Sequence, residues 1–202
     1  MSVAPHPHVS SRRDWARPAR PLSVMLLLRY SLFAALVFAS AYGCLWLTSF
    51  TGRVAIIWVA NAIICAVMLK SARRAFWPLM IIGVLAALAG DLAFGDAAID
   101  AVLLTLCNSV EIAIMVLVMR RIARASLDLA RPRQLSALFA LAVGPAPVAS
   151  ALLAASEQWL RHGTPFWSVA VPWYVGDAFG LVVLLPLLIT ARLRDFRAML
   201  SR

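Results

Sequence analysis

Six long apolar stretches, separated by short polar or charged connections, dominate the sequence. About twenty apolar residues in a helix cross the roughly 30 Å hydrocarbon core of a bilayer. The pattern therefore predicts an all-α fold, a polytopic membrane helical bundle with six transmembrane helices. The predicted spans are residues 24–47, 54–69, 76–94, 97–119, 135–155 and 167–191.

Local features modify three of these spans. The second span is short, so it must tilt little or lie where the bilayer is thin. Pro145 and Pro147 predict a break near the middle of the fifth span, and Pro172 predicts another near the start of the sixth. Such breaks free backbone groups that only protein or a water-filled cavity can satisfy at membrane depth. Gly176 and Gly180 predict a close helix contact in the sixth span.

Composition and charge agree with a membrane protein. Hydrophobic residues make up 63% of the 202 positions and charged residues 14%, and the mean hydropathy of +0.87 lies outside the globular range. Except for Arg53 and Arg161, all 19 Lys and Arg residues cluster at 12–29, 70–74, 120–133 and 192–202. Cytoplasmic segments retain such residues, so both termini are predicted to be cytoplasmic in a bacterial inner membrane.

The charge pattern also limits the partners and the domain organisation. The net charge of +10 is explained by topology, and no nucleic-acid partner is expected because no soluble region could form a reading surface. Residues 1–22 are predicted to form a disordered basic cytoplasmic tail and residues 193–202 a second basic tail. The intervening residues 23–192 form an integral-membrane domain whose main partner is the lipid bilayer, and no attached output domain is expected within this chain.

Polar residues at mid-membrane depth are the candidate functional groups. Asn61 lies near the middle of the second span, and Asn108 and Glu111 share one face of the fourth. Asp177 lies roughly 15 Å below the outer end of the sixth span. A carboxylate in hydrocarbon must be protonated, paired or facing water. We therefore expect Glu111 and Asp177 to face the bundle interior, with Asn61 and Asn108 as partners.

Two tryptophans complete the candidate site. Trp58 precedes Asn61 and is deep enough to line a pocket. Trp173 stands in a similar position before Asp177, although it also fits the belt of aromatic residues at a membrane interface. Two interpretations of the polar cluster stay open, a ligand-binding site and a purely structural hydrogen-bond network between helices. The ligand-binding candidates are Trp58, Asn61, Asn108, Glu111, Trp173 and Asp177.

Other reactive residue types give no comparable pattern. The three cysteines are scattered, and His162 is the one histidine outside the N-terminal tail, so no catalytic residue, metal site or cofactor is predicted. Asp91 lies close to the outer end of the third span. We expect it to be a solvated residue or a partner for the helix end.

An ordered set of short motifs extends over about residues 49–189. The motifs are IWVANAI at 57–63, WP at 77–78, NSVE at 108–111 leading to RR at 120–121, and PWYVGDAFG at 172–180 leading to LPL at 185–187. This set resembles the first-described type of the membrane-associated sensor (MASE) family. The chain departs from the family at Val59 and Ala60, where members often carry a proline. Members also usually continue into two further helices and an output domain.

The resemblance implies a sensory input module of bacterial signal transduction. Such a module binds a small-molecule ligand in the bundle and signals to a cytoplasmic output domain or protein of the diguanylate cyclase or histidine kinase type. The output partner either follows Arg202 or acts in trans, and a homo-oligomer stays open. A small-molecule transporter or substrate-binding membrane subunit is the alternative, because its size is similar. A membrane-embedded enzyme is poorly supported, because the residues of such active sites are missing.

The charge clusters predict the topology directly. Reporter fusions after Arg74, Arg131 and Arg202 should be cytoplasmic. Fusions near Arg53, Asp96 and His162 should be periplasmic. Paired phosphatase and fluorescent-protein fusions at each point measure this. A periplasmic signal after Arg202 would contradict the prediction.

Overall fold

The computed structural model describes residues 24–49, 57–124 and 127–191, and this part of the chain is helical without strands. A 3-10 turn at Arg73–Ala75 precedes the third helix. Both predicted tails lie outside the described residues. The α-helices are α1 (Val24–Ser49), α2 (Val59–Lys70), α3 (Phe76–Phe94), α4 (Ala98–Ala123), α5 (Pro132–Val143), α6 (Pro145–His162) and α7 (Phe166–Thr190).

Five helical segments in the described ranges are long and apolar enough to cross a membrane, which confirms an all-α multi-pass bundle. The pair α5 and α6 counts as one of them, Pro132–His162. The second predicted span is represented by α2, which has 12 residues. A helix of that length extends about 18 Å and is shorter than the hydrocarbon core.

Helix α2 is the centre of the bundle. Nine of its 12 residues are buried, because α1, α3, α4 and α7 all pack against it. A helix that is apolar on all sides is typical of complete enclosure by protein. Neighbouring helices rather than lipid surround α2, so its length does not have to match the bilayer.

The prolines have different effects in two helices. The break predicted by Pro145 is confirmed, because α5 ends at Val143 and α6 begins at Pro145, where a missing amide proton costs little. The break predicted at Pro172 is wrong, because α7 continues through both Pro172 and Pro186. A proline removes one helical hydrogen bond and can bend a helix without ending it.

Turns define the two ends of the bundle. Gly95 ends α3 with φ +106° and Gly163 ends α6 with φ +66°, a left-handed conformation that glycine adopts without strain. We call the end of the bundle that contains these two glycines the Gly95 end. The opposite end, where α2 finishes, is the Lys70 end. Between the ends, the long helices expose large apolar side chains of the kind that faces lipid. Examples are Leu28, Leu32, Leu85, Leu106, Val175 and Leu187.

The predicted close contact at Gly176 and Gly180 brings α7 against the start of α2. The backbone N–H of Trp58 donates to the carbonyl oxygen of Gly176 at 3.1 Å. A Cβ atom at Gly180 would overlap the carbonyl oxygen of Trp58. Glycine at this position therefore lets the two backbones touch one turn from Asp177.

Replacement of this glycine should destabilise the bundle. Gly180→Ala should lower the free energy of unfolding by about 1–3 kcal/mol, because the added methyl group meets a backbone oxygen that cannot move cheaply. Gly43→Ala in α1 is the matched control, since nothing lies within 4 Å of its added Cβ atom. It should be neutral or stabilising by up to about 1 kcal/mol. Unfolding of the purified variants measures both, and equal effects would contradict the contact.

Candidate ligand-binding site

The side chain of Asn61 connects α2 to α4. Its Oδ1 accepts a hydrogen bond from Nε1 of Trp58 at 3.2 Å. Its Nδ2 donates to Oδ1 of Asn108 at 3.0 Å and to Oε2 of Glu111 at 2.6 Å. Asn61 is 1% exposed and Glu111 0%. The expected partnership of these residues in the interior is confirmed.

A second polar group joins α6 to α7. Nε1 of Trp173 donates to Oγ of the buried Ser150 at 2.9 Å. The carboxyl group of Asp177 lies against Ser150, Trp173 and Glu111. Asp177 is 3% exposed, so it faces the interior as predicted, but its described neighbours are these residues rather than the expected Asn61 and Asn108. Contact between Asp177 and Glu111 joins the two polar groups and brings all six candidate residues into one cluster.

Two carboxyl oxygens in this cluster lack a well-aligned partner. They are Oε1 of Glu111 and Oδ2 of Asp177, both buried and without a hydrogen bond of good geometry to any described residue. Two buried carboxyl groups in contact repel each other unless a proton or a cation compensates their charge. The cluster is therefore equipped to take up a positively charged group or a proton.

A cavity of about 540 Å³ extends from the cluster to the Gly95 end. Trp58, Asn108, Trp173 and Asp177 are among its lining residues, and the turn at Gly95 lies at its rim. Asn61 and Glu111 are connected to it through Asn108 and Asp177. Its volume is within the range of small-molecule pockets, about 300–1000 Å³.

Asp91 also lines this cavity, and the expectation that it is solvated is wrong. It is 6% exposed, and Oγ1 of Thr105 donates to its Oδ2 at 3.1 Å. Helix α4 folds back against α3 and covers it. Its Oδ1 is buried without a partner among the described residues. Sequence reasoning also missed Ser150, whose one signal was a hydroxyl in an apolar run shortly after Pro147.

Charged side chains join α4 to α6 at the Gly95 end. Arg161 pairs with Asp100 at 2.8 Å and with Glu157 at 2.9 Å, and His162 lies 3.2 Å from Asp100. Asp100, Glu157 and His162 hold possible metal-binding atoms within 4.8 Å of one another. We interpret this cluster as an ion-pair network, because the guanidinium of Arg161 contacts both acids. The predicted lack of a metal site stays a prediction.

Cations join three helices at the Lys70 end. Nζ of Lys70 donates to the carbonyl oxygens of Leu188 and Ala191, both at 3.1 Å. The guanidinium of Arg120 donates to the carbonyl oxygen of Met68 at 2.6 Å. Carbonyl groups in the last turn of a helix lack helical partners, and nearby cations stabilise them. Helix α2 is thus attached to α7 near the cavity and again at the last turn of α7.

Comparison with known proteins agrees with this architecture. The family model for MASE1 matches residues 27–198, which include all the candidate site residues. The comparisons with curated proteins and with solved structures gave no match. The resemblance seen in the ordered motifs is confirmed, and the chain belongs to the MASE1 family of membrane-associated sensor domains.

Proposed function

We propose that this chain is a sensory input module of bacterial signal transduction, located in the inner membrane with six spans and both termini in the cytoplasm. It binds a small ligand in the cavity at the Gly95 end, which faces the periplasm. The bound state is transmitted through α7 to a cytoplasmic output domain or protein of the diguanylate cyclase or histidine kinase type. The double attachment of α2 to α7 is the observation that carries this proposal.

The ligand step takes place at the polar cluster. Trp58, Asn108, Trp173 and Asp177 line the cavity and contact the ligand. A positive charge or proton that binds at Asp177 changes the electrostatic interaction between the carboxyl groups of Asp177 and Glu111. Glu111 in turn accepts a hydrogen bond from Asn61 on α2. Binding therefore alters the forces that hold α2 in position.

Transmission depends on the position of α2 relative to α7. Near the cavity, the Trp58 amide holds the Gly176 carbonyl, and 12 residues later Lys70 holds the carbonyls of Leu188 and Ala191. A small shift of a rigid, enclosed helix therefore reaches the last turn of α7. A ligand that prefers one packing of these helices shifts their equilibrium by its difference in affinity for the two packings.

A reporter fusion tests the proposal. The whole chain is fused after Arg202 to a diguanylate cyclase, and the rate of product formation is measured in membrane vesicles. Asp177→Asn and Glu111→Gln keep size and hydrogen bonding but remove charge. We expect each to change the rate about fivefold or more, the lower range of allosteric coupling. Asp128→Asn, the same change at an exposed acid between α4 and α5, should have no effect.

A second pair of variants tests the transmission step. Lys70→Met removes both hydrogen bonds to the end of α7, so it should reduce the effect of Asp177→Asn on the rate. Arg74→Met, at an exposed cation nearby, should leave that effect intact. Thermal unfolding confirms that every variant is folded. If Asp177→Asn and Glu111→Gln are folded and keep the parental rate of product formation, the role of the polar cluster in ligand binding is contradicted. If Lys70→Met and Arg74→Met alter the effect of Asp177→Asn equally, transmission through α2 is contradicted.

A further inference from the structure

We infer that the ligand is a small organic cation, carrying an ammonium or guanidinium group, which enters the cavity from the Gly95 end and binds against Asp91 and Asp177. This inference rests on the ligand site proposed above and specifies its chemistry. The two acids lie on different helices, Asp91 on α3 and Asp177 on α7, and both line the same cavity.

Acidic side chains form part of the cavity wall. Asp91, Asp100 and Asp177 are among the residues that line the cavity, and none of its described lining residues is Lys, Arg or His. Asp100 is already paired with Arg161 and His162, so it contributes little to ligand binding. Asp91 and Asp177 form no ion pair with any residue that the structure describes, so these two acids are the ones available to a cationic ligand.

Each of these two acids is buried and has a carboxyl oxygen without a well-aligned hydrogen bond. Asp91 and Asp177 are 6% and 3% exposed. Oδ1 of Asp91 has no hydrogen-bond partner in the described part of the chain, and Oδ2 of Asp177 has none of good geometry, although Glu111, Ser150 and Trp173 lie against its carboxyl group. Burial of such a group is costly unless a hydrogen bond or an opposite charge compensates it. Thr105 supplies one donor to Asp91, and that donor reaches the other oxygen. An ammonium or guanidinium group has several donors and a positive charge, so it supplies both a hydrogen bond and a counter-charge to a carboxyl group that it reaches.

Size and wall chemistry favour an organic cation over a metal ion. A volume of about 540 Å³ suits a small molecule rather than a single ion. Trp58, Phe94 and Trp173 line the cavity, and aromatic rings attract organic cations. The indole N–H groups of both tryptophans are occupied by Asn61 and Ser150, so their contribution to a ligand is through the rings.

The test uses three probes with the same four-carbon skeleton. Putrescine carries two ammonium groups, its diol analogue is neutral, and succinate is an anion. The whole chain is placed in lipid nanodiscs, and its thermal midpoint is measured with each probe. Putrescine at about a hundredfold above its Kd should raise the midpoint by about 5 °C or more, whereas the diol and succinate should not.

Matched variants locate the binding. Asp91→Asn and Asp177→Asn should each weaken putrescine binding by about tenfold or more, because one charged partner is lost. Asp128→Asn, at an exposed site outside the cavity, should bind like the parent. Where an asparagine variant fails to fold, the comparison of probes on the parent chain still decides. Equal stabilisation by putrescine and the diol, or no stabilisation by putrescine, would overturn the inference.

The outcomes separate this inference from the proposed function. Putrescine binding that both asparagine variants retain would indicate attraction to the lipid surface or to another acid, and it would overturn the inference. If Asp177→Asn changes the reporter rate but putrescine does not bind, the sensory function is supported and the inference of a cationic ligand is overturned. Binding of putrescine that depends on Asp91 and Asp177, with an unchanged reporter rate, would support the cation site and contradict transmission.

Discussion

The hydrogen bonds of Asn61 set the conditions for the rest of the interior. An amide in an apolar core must have partners for both its oxygen and its nitrogen, because no water replaces them. Trp58 supplies the donor, and Asn108 and Glu111 supply the acceptors. These hydrogen bonds of Asn61 fix the rotation of α2 about its axis, and they hold the face of α4 that carries Asn108 and Glu111 against α2. The same arrangement positions Glu111 to meet Asp177 of α7.

This constraint explains how a short helix can occupy the centre of a membrane protein. Helix α2 would leave part of the bilayer unspanned, yet its enclosure by four other helices removes it from lipid. Its backbone touches α7 at Gly176, and its last residue holds the end of α7. The polar cluster, the cavity and the end of α7 are therefore parts of one mechanically connected unit. A pocket built around such a unit is suited to a sensor, in which binding must change something distant.

The sequence predicted the elements whose cause is local, and it missed those that depend on tertiary packing. Glu111 and Asp177 were predicted to be interior because charge at membrane depth is costly wherever the helix lies. Asp91 was misjudged because depth alone does not reveal that α4 covers it. Ser150 gave too weak a signal, because a serine also satisfies itself within its own helix. The helix break at Pro172 was wrong because neighbouring structure decides whether a proline bends a helix or ends it.

Hydropathy alone could not distinguish α2 from a lipid-exposed span, since lipid and a protein interior are equally apolar.

The coupling across Asn61 and Glu111 is the most direct measure of the constraint on which the interior depends. A double-mutant cycle of Asn61→Leu and Glu111→Leu, followed by unfolding in lipid nanodiscs, isolates it. Each single change leaves a buried partner unsatisfied, whereas the double change removes both partners. The destabilisation of the double variant should therefore be smaller than the sum of the two single destabilisations, by about 1.5 kcal/mol or more. Effects that add within about 0.5 kcal/mol would contradict a central role for this hydrogen bond.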